Sequence, residues 1–329
     1  GVYPIIKEMS YLKLLKKAVK QAKNVTIIGG GFIGVELADE IANDKHKNVT
    51  IIEMEERLLA HSFDKEFSDQ ATTKLRGKGV KVLTKTRATS INGKDKATSI
   101  TLGDKRRIKT DLVILGIGAK PNADLAKTCG LATNNHGAIK VDEYLKTSEP
   151  DIYAAGDCAE KKDFFTRDAT NVMLASTATS EARVAGANLY AIKLLKNNKG
   201  TIAAYSTIID DLALGSAGLT EEAAKKAGFD ITTGTATAPD KHPGKLPGTK
   251  PMTVKLVFQR ESGIILGGQT VGGAAAGEVT NIIALAIQKN MSISELETLQ
   301  VATHPKLTAA PTAYPIINAA QQAMQRLNT

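Results

Sequence analysis

The run Asn24-Val25-Thr26-Ile27-Ile28 leads without a break into Gly29-Gly30-Gly31-Phe32-Ile33-Gly34. A short β-branched strand, then glycines at the first, third and sixth places of a turn, then helical periodicity over residues 32–42 predict a strand–turn–helix unit. In such a unit the first glycine permits the tight turn, the second lets backbone approach a pyrophosphate, and the third lets helix and strand pack closely. The pyrophosphate would rest on the helix N-terminus, where unpaired N–H groups and the dipole favour an anion. A second strand over residues 49–52 closes the β-α-β unit on Glu53, 24 positions beyond Gly29. An acid there accepts hydrogen bonds from the adenosine ribose and repels a 2′-phosphate, which predicts NAD(H) rather than NADP(H). Glu55 and Glu56 reinforce the negative field, and Arg57 opposes it.

With 329 residues the chain has room for two or three domains with real cores. Its net charge of +9 comes from scattered lysines, aromatics are only 4%, and tryptophan is absent, which argues against a nucleic-acid-binding patch. No apolar run approaches the ~18 residues a membrane helix needs, and lysines interrupt any secretory pattern near the N-terminus. A cytoplasmic location is expected. Lys7 to Lys23 reads as an amphipathic helix, with Tyr11, Leu12, Leu14, Leu15 and Val19 apolar. Cys129 and Cys158 form no CxxC pair and are expected to be small buried residues, and the five histidines show no metal-ligand spacing.

Further along, residues 63–77 read as a helix with Asp64 as N-cap. Strands are expected over 80–83, 89–91, 97–102 and 111–115, the last ending in Gly116-Ile117-Gly118. A helix at 123–128, strands at 139–141 and 152–155, and an Ala-rich helix over 171–195 follow. The last third reads as α+β, with strands at 213–214, 231–233, 252–258 and 264–269 and helices at 220–228, 278–288 and 316–327.

Thr147-Ser148-Glu149-Pro150-Asp151-Ile152-Tyr153-Ala154-Ala155-Gly156-Asp157-Cys158 is the second informative stretch. With the glycine loop, it makes the chain resemble the FAD-dependent pyridine nucleotide–disulfide oxidoreductase family, in the branch of NADH oxidases, NADH peroxidases and coenzyme A-disulfide or polysulfide reductases. The resemblance implies an α/β fold: a Rossmann-like NAD-binding domain inserted in a partial FAD-binding domain, followed by an α+β dimerisation domain. It divides the chain into a connecting helix at 1–23, the NAD-binding domain at 24–119, the C-terminal half of the FAD domain at 120–200 and the dimerisation domain at 201–329.

Site roles follow from the same resemblance. Gly29, Gly31, Phe32, Ile33, Gly34 and Glu36 match the NAD loop, with Phe32 where an aromatic lies over the nicotinamide and Glu36 where an acid approaches its carboxamide. Gly116 and Gly118 belong to the segment closing the NAD domain against the flavin. Gly156 and Asp157 form the distal FAD motif, the aspartate binding the ribityl chain. Leu174, Ala175 and Ser176 open the helix under the flavin pyrimidine. His304-Pro305 is similar to a His-Pro motif that delivers a base to the partner subunit, although Ala309 stands near the expected place of its supporting acid.

The family's first glycine loop and redox cysteine should precede Asn24, where 23 residues stand. The sequence is therefore expected to be the nicotinamide-side part of a homodimeric flavoenzyme, inactive alone and completed by the missing FAD half in trans. NADH would be the donor, and a disulfide, polysulfide, peroxide or dioxygen the small-molecule acceptor. The rival expectation is a non-catalytic NAD-binding scaffold without flavin.

Overall fold

The computed structural model describes residues 1–190 and 196–327. Two compact units emerge: Gly1–Ile117 with Ala204–Thr329, and Gly118–Ala203.

The first unit begins with β1 (Val2–Pro4), α1 (Met9–Gln21), β2 (Asn24–Ile28), α2 (Phe32–Ile41), β3 (Asn48–Ile52), α3 (Lys65–Gly77) and β4 (Lys81–Leu83). After β5 (Ala88–Asn92), β6 (Ser99–Leu102) and β7 (Arg107–Lys109), β8 (Leu112–Leu115) returns to the first sheet. That sheet is parallel, in the order β1-β8-β2-β3-β4, while β5, β6 and β7 form an antiparallel sheet of their own. Strands β2 and β3 are the same pentapeptide, Asn-Val-Thr-Ile-Ile, paired in register from Asn24 with Asn48 to Ile28 with Ile52. Parallel strands covered on both faces need such near-continuous apolar runs. Ile27 and Ile51 are fully buried, and the buried Thr26 hydroxyl finds Thr110 Oγ1 at 3.0 Å.

Two strands of this segment, β1 and β7, were not expected. β1 is three residues long and ends in proline, so it carries no readable period, and its partner β8 lies far along the chain. β7 is Arg-Ile-Lys, an edge strand whose charges hide its alternation.

The second unit holds α4 (Asp124–Thr128), the short pair β9 (Lys161–Lys162) and β10 (Ala169–Thr170), and α5 (Ala175–Asn188). Its core is small, built on Ala123, Ala126, Ile139, Ala154 and Ala159. The strands expected at 139–141 and 152–155 are reduced to single bridges, Ile139 with Thr133 and Ala159, and Lys146 with Tyr153. Asx turns at Asn134 and Asp142 break the ladder on either side. The helix expected from 171 starts at Ala175, and residues 191–195 of that expectation lie outside the described residues. Cys129 is exposed and Cys158 half-buried, so neither is the buried residue anticipated.

The chain then rejoins the first unit as β11 (Tyr205–Ile209), β12 (Leu212–Gly218), α6 (Glu221–Lys226), β13 (Ile231–Pro239), β14 (Pro251–Gln259), β15 (Ile265–Gly272), α7 (Ala276–Gln288), α8 (Ile293–Glu297) and α9 (Pro315–Leu327). These strands form one antiparallel sheet, β11-β12-β15-β14-β13. Ile209, Leu214 and Val271 from this sheet share one core with Phe63, Phe67 and Leu75, so the two sheet systems of this unit are fused rather than tethered. Among the described residues no helix is long and apolar enough to cross a membrane.

Candidate functional site

Steric limits on the glycine loop separate the roles of its residues. Gly29 has φ +108°, a conformation that side chains rarely adopt. A Cβ on Gly34 would stand 2.0 Å from Gly29 O, so the third fingerprint glycine is required by helix–strand contact. Gly116 closes the same spot, its N–H donating to Ile28 O at 2.8 Å. Gly31 differs: its φ of −75° is ordinary, and a Cβ there would meet nothing within 4 Å. The protein itself leaves open the space above the start of α2. That helix opens with no side-chain cap and no acid in its first turn, and Ile33 there is exposed.

Glu53 stands at the end of β3, beside the loop. Its Oε2 accepts the Gly30 N–H at 2.5 Å, and its Oε1 accepts the Glu55 N–H at 2.8 Å. Each carboxylate oxygen has a second lone pair for a ligand hydroxyl. Gly30 is a functional residue that the fingerprint reading passed over: a Cβ there would reach Leu58 Cδ2 at 2.4 Å and Glu53 Oε2 at 3.0 Å. The triple glycine was its visible signal. Arg57, the cation opposing the NAD assignment, is paired with Glu222 on α6.

Further down α2 the site meets the second sheet. The Phe32 ring stacks on Tyr205, with centroids 4.8 Å apart and planes at 24°, and meets Phe63 edge-on at 6.1 Å. The Thr207 hydroxyl donates to Glu36 Oε1 at 2.7 Å. Burial pushes the Tyr205 phenol up to about 12, so it stays neutral across the physiological range. Both partners escaped sequence reading because each lies more than 170 residues away from the residue it touches.

In the second unit, Gly156 turns the chain at φ +80°. Its N–H donates to Glu181 Oε2 at 2.9 Å, and its carbonyl accepts from Lys161 Nζ at 2.5 Å. Lys161 and Glu181 are themselves a buried ion pair at 3.0 Å. The turn is thus held from both sides, and it presents Asp157 in an exposed position with no side-chain partner among the described residues. A Cβ on Gly156 would lie 3.6 Å from Ala178 Cβ, in the first turn of α5. Leu174 is the N-cap of α5 and gives no side-chain bond, leaving Ala175 and Ser176 exposed at an uncapped start. Gly118 also belongs to this unit, at φ +92°. Asp157, Gly156 and the α5 start could hold a polyhydroxyl chain and an anionic ring edge, since the acid has no side-chain partner among the described residues and the helix is uncapped.

His304 is exposed in the first unit. Its Nδ1 accepts the Lys306 N–H at 3.3 Å, so the neutral ring carries its proton on Nε2. Among the described residues no carboxylate pairs with its ring. No described group of three or more His, Cys, Asp or Glu residues is arranged to hold a metal.

A parallel sheet with its helices packed in one core, a glycine loop, an uncapped helix and an acid closing the next strand define a dinucleotide-binding protein. Residues 4–182 match the pyridine nucleotide-disulphide oxidoreductase family, and residues 205–314 match its dimerisation domain. The chain belongs to this family. It is 37% identical over 252 residues to an NAD(P)H coenzyme A polysulfide/persulfide reductase of Pyrococcus horikoshii, covering 77% of this chain and 55% of that protein. It is 30% identical over 294 residues to an NADH oxidase of Enterococcus faecalis, covering 89% of this chain and 65% of that one. The structure of an NAD-dependent persulfide reductase from A. fulgidus superposes with a TM-score of 0.92 at 31% identity, covering all of this chain and 60% of that one. A water-forming NADH oxidase from Lactobacillus brevis bound to NADH gives 0.90 at 29% identity, covering 99% of this chain and 71% of that one. The chain spans between half and two thirds of the length of the curated relatives it matches.

Proposed function

We propose that the chain supplies the nicotinamide-nucleotide site, one wall of the flavin site and the two-fold interface of an NADH-dependent flavoprotein oxidoreductase. On this reading residues 24–119 hold NADH, residues 120–200 contribute to the FAD site, and residues 201–329 pair with a second copy. Bound FAD supplies the two-electron acceptor that takes hydride from NADH and passes electrons to a disulfide, polysulfide, peroxide or dioxygen.

The observation that carries the reading is the open space over Gly31. The fold requires glycine at 29, 30 and 34, but its own packing gives no reason for one at 31. A pyrophosphate resting on the start of α2 supplies that reason. Glu53 then takes the adenosine ribose, and Arg57, held by Glu222, does not cancel its charge. Asp157 would bind the ribityl chain, and the start of α5 would stabilise negative charge on the reduced flavin. His304, with its proton on Nε2, would present a donor to the partner subunit's acceptor site. Calorimetric titration of NADH and NADPH into the chain tests the reading. Tighter NADH binding supports it, and equal affinities sink it.

A further inference from the structure

Strand β11 and helix α2 run alongside each other in matching steps. Phe32, Glu36 and Asp39 share one face of the helix. Tyr205 and Thr207 share one face of the strand, with Asp210 just beyond its end. The rungs are Phe32 on Tyr205, Glu36 with the Thr207 hydroxyl, and Asp39, whose two carboxylate oxygens each accept the Asp210 N–H at 3.1 Å. Four helical residues rise ~6 Å and two strand residues ~6.8 Å, so the first two rungs fit with little strain. Thr207 is buried while Glu36 is exposed, so a fixed hydroxyl restrains a carboxylate that would otherwise sample several rotamers. Lys78 Nζ, 2.6 Å from Asp39, anchors the last rung.

We infer that Tyr205 and Thr207 are positioning residues for the nicotinamide end of the nucleotide site. The inference rests on the NADH reading above and assigns part of that site to the interface sheet. By the family resemblance, Phe32 would lie over the nicotinamide ring and Glu36 would approach its carboxamide. Their resting positions are set by β11, not by the β-α-β unit that carries them. The adenosine end has no such dependence on β11, because Gly31, the start of α2 and Glu53 are held by bonds among residues 28–86. The site therefore has two halves with separate supports.

This separation is measurable with a pair of ligands. NADH engages both halves, and ADP-ribose, which lacks nicotinamide, engages only the adenosine half. Thr207→Val removes the hydroxyl at constant shape and should weaken NADH ~3- to 10-fold, the range of one net hydrogen bond, with ADP-ribose affinity unchanged. Thr207→Ser restores the donor and should restore NADH affinity. Tyr205→Phe keeps the stack and should behave as wild type, whereas Tyr205→Leu should lose NADH affinity selectively. Bound NADH fluorescence anisotropy should fall in Thr207→Val as the nicotinamide gains freedom. Equal losses for NADH and ADP-ribose, or no loss for NADH in Thr207→Val, would overturn the inference. If the wild-type chain bound neither ligand, the nucleotide-site reading itself would fall. If it bound ADP-ribose and NADH identically in every variant, only the positioning role would.

Discussion

Asp64 stands at the N-cap of α3, yet its carboxylate caps a different helix. Oδ2 accepts the Glu221 N–H at 3.2 Å and Oδ1 the Glu222 N–H at 3.4 Å, at the start of α6. The same carboxylate accepts Gln269 Nε2 at 2.6 Å and lies 2.9 Å from Lys255 Nζ. Lys255 also meets Glu66 at 2.6 Å and Glu221 at 2.7 Å, and its side chain is only 7% exposed. One buried cation therefore joins three acids drawn from both sheet systems.

Removing that cation should be costly. Lys255→Met leaves Asp64 buried with its charge uncompensated, for an expected loss of ~3–5 kcal/mol. Urea unfolding monitored by far-UV dichroism measures it. A loss below ~1 kcal/mol would mean that water reaches these carboxylates after the substitution and solvates them.

The hub also sets a pH window. Burial opposes the charge on Glu221, but Lys225 and Lys255 outweigh it and hold the carboxyl below its usual 4.5. Its stabilisation is complete above the unfolded value and drains as pH falls through the folded one. Burial likewise opposes the charge on Lys255, but Glu221, Glu66 and Asp64 outweigh it and raise the amine above 10.5. That contribution is complete below 10.5 and lost as pH rises through the folded value. Urea midpoints should form a plateau between these limits. In Lys255→Met the Glu221 part of the acid-side decline should be smaller and end at higher pH, because Glu221 has lost a partner that lowered its folded value.

On the proposed reading Glu53 has two tasks, and the substitutions at this position separate them. Glu53→Ala removes the ribose acceptor and also the acceptor of the Gly30 N–H. NADH should weaken strongly, NADPH less, and the gap between them should narrow by ~1.5–3 kcal/mol. Glu53→Gln keeps an oxygen for Gly30 but loses the charge. It should narrow the same gap while holding more of the NADH affinity. Titration of both nucleotides against both variants distinguishes loop support from charge.

Much of this was legible in sequence, and the boundary is a physical one. The βαβ unit, the place of Glu53 at the end of β3 and the helix α3 follow from local periods and short-range turn chemistry. What escaped is long-range: β11, recognised only when it pairs with β12 and lies on α2, and the Lys255 hub, whose members are scattered from residue 64 to 269. Sequence patterning presents the last third as a separate α+β domain. The structure adds that Ile209, Leu214 and Val271 share a core with the first sheet and its helices. Deleting the chain after Gly200 would therefore strip apolar cover from α2 and α3, not release a self-sufficient nucleotide domain.

The glycine loop offers the sharpest contrast between structural and ligand-driven need. In Gly34→Ala the new methyl would press on Gly29 O, a backbone atom that cannot turn aside, at 2.0 Å. Helix α2 would have to move off β2, and the chain should lose at least ~1–3 kcal/mol of stability. In Gly31→Ala the new methyl points into open space at an ordinary φ, and stability should hold within ~1 kcal/mol, the scale of a changed N-cap residue. That methyl fills the approach to the free N–H groups of α2, so NADH affinity should fall at least ~10-fold while the melting temperature barely moves. Thermal unfolding and NADH titration of the two variants test the pair together. A Gly31→Ala chain that binds NADH as tightly as wild type would show that the pyrophosphate does not rest on this helix.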